Sequence, residues 1–196
     1  VVIFEIEMSN EVNLRECPGC SAMFQKRDGF CDKYGVMSQE CYRAFLAVVS
    51  YEQKRYGTTH VHRLLVDACF VQHPPHLDVQ IILGLENKLI FESVQAITIH
   101  LVALHLAFER RVDFARVSKE MDNFLINVQR QKVEFLELQP PRSVGTVRVV
   151  DLFQAVTEQQ LTLDEYVGLI EKYADQAWDA WSAHHVLIRK VYDKYK

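Results

Sequence analysis

Ser93-Val94-Gln95-Ala96-Ile97-Thr98-Ile99-His100-Leu101-Val102-Ala103-Leu104-His105-Leu106-Ala107-Phe108 is the stretch whose reading decides the fold. Apolar side chains fill almost every turn of it, without the polar stripe that marks a surface helix. A helix that is hydrophobic all round is either packed among other helices or spans a bilayer. A bilayer needs about 20 consecutive apolar residues, and here His100 and His105 interrupt the richest part. The stretch therefore predicts the central, most buried helix of an all-α domain, capped by Ser93 and running to about Arg111.

Outward from that helix, the same periodicity recurs on both sides. Ala44, Phe45, Val48, Val49 and Tyr51 predict a helix from Gln39 to Tyr56, stopped by Gly57. Thr58 or Thr59 caps the next, which runs to about Val71 before His73-Pro74-Pro75 ends it. Residues 74–92 read as a loop with a short apolar segment, Val79–Leu85. Later come a helix over roughly Val117–Lys132, a loop at Pro140-Pro141 and Gly145, and a short helix over Val149–Val156. Thr162 and Glu165 form a capping box that opens a long helix to the C-terminus, with Ser182 as the place where it bends or restarts. Seven Gly and five Pro in 196 residues suit such a multi-helix bundle with short connections.

The N-terminal part is different in kind. Four of the five cysteines fall at Cys17, Cys20, Cys31 and Cys41, spaced C-x2-C-x10-C-x9-C among turn signals such as Arg27-Asp28-Gly29. The turn Cys17-Pro18-Gly19-Cys20 can aim two thiolates at one point, as a tetrahedral zinc ion requires. A lone C-x2-C is shared with redox pairs; two further cysteines, and no strand–turn–helix setting, favour a structural zinc in a cysteine-rich zinc-binding lobe. Cys41 falls in the first turn of a helix, where thiolates are stabilised. The division is thus a lobe over residues 1–41 and a helical body over 42–196. Met8-Ser9-Asn10 reads like a natural start, so Val1–Glu7 is either an upstream extension or a short edge strand.

These cysteines, together with His62-Arg63-Leu64, Val66-Asp67-Ala68, Gln72-His73-Pro74, His100-Leu101, Phe135-x-x-Leu138-x-Pro140-Pro141 and Trp181-x-x-His184-His185, resemble an uncharacterised, mostly bacterial family of helical proteins. The resemblance covers about residues 16–190 and implies landmarks without an activity. Where its members tend to read Gly-Pro-Thr-His, this chain reads Gly29-Phe30-Cys31-Asp32. The fourth metal ligand is then either Cys31 or, as the alternative, Asp32, with thiolate favoured for a structural site. Cys69 stands where the resemblance implies Tyr, which favours packing.

Five further side chains are candidates for chemistry: His62, Asp67, His73, His100 and His184. Inward histidines and carboxylates on different helices are how bundles build metal sites, and three of them with a water make a hydrolytic centre. The competing reading holds each ring in the core by a hydrogen bond, for instance Asp67 orienting one of them. His62 and His73 are eleven residues apart, about 16 Å along a helix, and cannot share an ion. Cys69 and His73, at i and i+4, can. Arg63 and Asp67 read as a surface ion pair worth a few tenths of a kcal/mol. The Trp178/Trp181 stripe with Tyr192 and Tyr195 reads as core.

Composition narrows the function classes. A net charge of −4 and a pI near 6.1 carry no footprint for nucleic acid or anionic membrane. No secretory signal, phosphate-binding glycine loop or G-x-S-x-G elbow is present, and the clustered cysteines suit a reducing cytoplasm. The resulting expectation is a zinc-binding helical protein acting as a binding or regulatory module for another protein or a small ligand. The alternative is a metal-dependent hydrolase using His62, Asp67, His73, His100 or His184; a third reading is a redox sensor whose thiolates release zinc on oxidation.

Overall fold

A computed structural model of the chain describes residues 14–25, 37–74, 87–131 and 138–196. A small antiparallel hairpin opens it, β1 (Leu14–Glu16) paired with β2 (Met23–Gln25) with Leu14 opposite Gln25 and Glu16 opposite Met23. Seven helices follow among the described residues: α1 (Gln39–Arg55), α2 (His62–Val71), α3 (Asn87–Phe108), α4 (Phe114–Gln131), α5 (Val149–Glu158), α6 (Leu163–Ala180) and α7 (His185–Tyr195). The fold is all-α apart from the hairpin, as the periodicity predicts.

Helix α3 holds the centre, packing against α2, α4, α6 and α7, while α1 packs on α5 and α2 on α6. Every residue from Leu101 to Ala107 is buried, His105 included, which is the consequence of an apolar helix with no polar stripe. It begins at Asn87, not at a cap on Ser93. The run Lys88-Leu89-Ile90-Phe91-Glu92 has no breaker, and its helix-forming residues carry the helix through the serine. The segment Val79–Leu85 lies outside the described residues.

At the other end, Thr162 and Glu165 exchange the two bonds of the capping box, Thr162 N–H to Glu165 Oε2 at 2.8 Å and Glu165 N–H to Thr162 Oγ1 at 3.3 Å. The long C-terminal helix is broken where Ser182 predicted, by a single 3-10 turn over Ser182–His184. The tryptophan stripe is core: Trp178 and Trp181 are buried, and His185 stacks on Trp178 at 3.7 Å between ring centres. Trp181 Nε1–H donates to Val71 O at 3.1 Å, so the end of α6 fixes the end of α2. That anchor sits two residues from His73.

Candidate metal centre

Three segments distant in sequence meet at the hairpin turn. Cys17 and Cys20 occupy the turn between β1 and β2, where Cys17 N–H donates to Ala22 O at 2.8 Å and Ser21 N–H to Cys17 O at 2.9 Å. Ser21 takes a left-handed φ of 58° to close that turn. Cys41 comes from the first turn of α1, whose cap Ser38 accepts the Cys41 N–H at 3.2 Å and donates its own N–H to Cys17 Sγ at 3.5 Å. His73 arrives from just past the end of α2.

One donor atom from each of Cys17, Cys20, Cys41 and His73 lies within 4.8 Å of every other. Cys20 Sγ and Cys41 Sγ are 3.5 Å apart, too far for a disulfide. Sulfurs at about 2.3 Å from a tetrahedral zinc sit about 3.8 Å from one another, so the set has the size of a metal's inner sphere. The histidine's orientation is set for ligation. Its Nδ1–H donates to Cys69 O at 2.6 Å, which leaves Nε2 with its lone pair. Nε2 is buried and has no hydrogen-bond partner among the described residues. A metal-ligating histidine is commonly held by such a bond from its other nitrogen, and a buried, unpaired ring nitrogen facing thiols is otherwise costly.

The glycine of the Cys-Pro-Gly-Cys turn is required by this approach. A Cβ on Gly19 would meet the backbone and ring of His73 at 2.7 Å. The lobe is further tied to the body by Arg148, whose Nε–H donates to Cys20 O at 2.8 Å, and the loop before Arg148 is held to the end of α2 by Gln72, whose amide donates to Val144 O and Val147 O at 3.0 and 2.6 Å.

Three thiols at this separation do not ionise together. Bonds from Cys20 and Cys41 hold the Cys17 thiol far below the usual range, while bonds to Cys17 and Cys20, with burial, push Cys41 far above it. The cluster carries one thiolate comfortably and not three, unless a cation compensates the charge. All four residues are at most 2% exposed, and four protein donors would fill a tetrahedral sphere without a water. That is the pattern of a structural site.

The sequence reading had His73 among candidates for a histidine centre; the structure places it with three of the four predicted cysteines. Cys31 and Asp32, the predicted fourth ligand and its alternative, lie outside the described residues. Cys69 is buried and contributes its carbonyl, not its thiol, to the site. The remaining candidates divide. His62 and His100 line one pocket of about 620 Å³, and Asp67 lies behind His100, its Oδ1 2.7 Å from His100 Nδ1. His184 is elsewhere, with Nε2 2.8 Å from Gln139 O in a surface tether. Among the described residues, the Cys3His set is the one group of three or more potential ligands close enough for an ion.

One partner escaped the sequence reading. Glu52 is fully buried near the end of α1, where it accepts from Thr59 N–H at 3.0 Å and meets His62 Nδ1 at 2.7 Å. A carboxylate on the apolar face of α1, level with Val48 and Ala44, is the signal that could have exposed it. The Arg63–Asp67 pair, expected on the surface, is half-buried: Asp67 is fully buried and also serves His100, because α3 covers that side of α2.

The family described as "Family of unknown function (DUF5946)" matches residues 15–182. No curated protein and no solved structure matches the chain. No helix of the described residues is long and apolar enough to cross a membrane.

Proposed function

We propose that this chain, which belongs to that family of unknown function, is a zinc-stabilised helical binding module in which Cys17, Cys20, Cys41 and His73 hold one structural zinc. The observation that carries the reading is the buried His73 Nε2, unpaired among the described residues and within 4.8 Å of the three sulfurs. Sulfur-rich tetrahedral donor sets with one imidazole select zinc over harder cations such as magnesium or calcium.

The ion's role is architectural. It joins the β-hairpin, the start of α1 and the end of α2, three pieces whose own contacts are few, and its binding energy becomes folding energy. A hydrolytic zinc needs an open ligand position, and this donor set offers none. The helical body is then left to bind a partner, either another protein or a small ligand.

Elemental mass spectrometry on tag-free protein tests the reading. One zinc per chain is expected, falling to near zero in Cys41→Ser and strongly reduced in His73→Ala. Full zinc retention in His73→Ala would show that the fourth ligand comes from elsewhere.

A further inference from the structure

The geometry points to a second site, unrelated to the metal: the pocket between the start of α2 and the start of α4 binds a small organic oxyanion, a carboxylate or phosphate carried on an apolar body, through the Arg63 guanidinium, flanked by His62 and His100. The pocket of about 620 Å³ is lined by these three, by the hydroxyl residues Thr58, Thr59 and Ser118, and by Val66, Phe114 and Ala115 on its apolar side. Its volume is that of a small-molecule site.

What distinguishes the pocket is how its polar groups are held. The Glu52 carboxylate is fully buried and meets His62 Nδ1 at 2.7 Å, while the equally buried Asp67 meets His100 Nδ1 at the same distance. Each ring therefore turns its N–H to a carboxylate, and Nε2 is the nitrogen that remains. His100 is also fixed from its face, stacked on Phe70 at 4.6 Å between ring centres.

Arg63 is pre-set in the same way. Its Nε–H donates to both oxygens of Asp67, at 3.1 and 2.9 Å, which fixes the guanidinium plane. No bond from its terminal amino groups is formed within that pair, so the fork that recognises carboxylate and phosphate stays available. Both carboxylates are fully buried behind these partners, so neither offers an oxygen to the pocket surface. Helix α2 adds to the field: Val61 at its cap position gives no side-chain bond, and its first turn holds no acidic residue.

Two rings and a guanidinium, each locked by a buried acid, are a costly arrangement for a surface that binds nothing. His60 lines the pocket too, but its ring stacks on Phe114 and the three histidines do not come close enough together to hold an ion among the described residues.

The test uses zinc-loaded protein titrated with benzoate, phenyl phosphate and neutral benzamide, followed residue by residue by NMR. Saturable shifts at His62, Arg63, His100 and Ser118 are expected from the two oxyanions and not from benzamide; whichever binds tighter identifies the head group. Arg63→Gln should weaken binding at least about tenfold. Should that variant unfold by stranding Asp67, Ala115→Glu carries the test. Ala115 is exposed in the first turn of α4, where an acidic residue suits the helix, so the fold should persist while binding is abolished by repulsion. Benzamide binding as tightly as benzoate, unaltered affinity in Ala115→Glu, or no saturable shift from either oxyanion would overturn the proposal. Each of those results would leave the zinc site standing, because none of its ligands lines this pocket.

Discussion

Gly19 and His73 show how much rests on single positions. The hairpin turn and the end of α2 approach so closely that a Cβ at Gly19 would meet the Cα and ring of His73 within 2.7 Å. Backbone on one side and a held ring on the other leave little room to yield, so Gly19→Ala should both destabilise the fold and weaken metal binding. A loss of about 2 kcal/mol is expected by chemical denaturation of the zinc-loaded protein; a neutral result would mean that the lobe shifts freely against α2. The sequence exposed the cysteines because spacing and turn chemistry are local. It hid the role of His73, since the contact joins residues 32 positions apart from Cys41 (73 − 41 = 32) across two helices. Gln72-His73-Pro74 marked the place, but nothing in its text points at a sulfur.

At the scale of the elements, α1, α2 and α3 are joined by two carboxylate–histidine contacts as well as by apolar packing. Glu52 on α1 meets His62 at the start of α2, and Asp67 on α2 meets His100 on α3. The helices themselves were legible from periodicity and breakers, but three starts were misplaced: α3 late, at Ser93, α4 late, at Val117, and α2 early, with a cap at Thr58 or Thr59 where Val61 precedes the first turn without a side-chain bond. Their mutual rotation was not legible, and that decides whether Asp67 is a surface partner of Arg63 or a buried hub. The two readings differ measurably. A surface i, i+4 pair is worth a few tenths of a kcal/mol, whereas removing a buried carboxylate that serves both Arg63 and His100 should cost about 2–3 kcal/mol. Urea unfolding of Asp67→Ala separates them, and a loss under about 0.5 kcal/mol would contradict the buried-hub geometry.

His105 belongs to the same level and gives the fold a dependence on pH. It is buried in α3 against Trp178 and Tyr192, donates to Glu109 across 3.0 Å and accepts from Arg110 Nε–H at 3.3 Å. Burial holds its imidazole below the ordinary value of 6.5, although the Glu109 carboxylate pulls the other way. The unfolded chain therefore takes up this proton first as pH falls, so the contribution is present above about 6.5 and is lost as pH drops toward the folded value. His105→Gln keeps a neutral polar side chain and removes the titration. Its stability should fall less steeply than that of the parent between about pH 7 and pH 5. Comparing the two zinc-loaded proteins cancels the acid sensitivity of the metal site, and parallel profiles would show that His105 does not titrate in that window.

The whole molecule is a helical body that carries a buried Cys3His donor cluster and, apart from it, an open pocket. The all-α architecture follows from an apolar central helix that the sequence displays plainly. The four-donor cluster draws on three separate segments; cysteine spacing grouped Cys17, Cys20 and Cys41, and His73 is the donor that only the fold brings in. The central claim is the identity of the four donors, and X-ray absorption at the zinc edge tests it most directly. The expected result is three sulfurs at about 2.3 Å and one nitrogen at about 2.0–2.1 Å, with the nitrogen signal lost in His73→Ala. Four sulfurs and no nitrogen in the parent protein would contradict it, placing a further cysteine where this structure places the imidazole of His73.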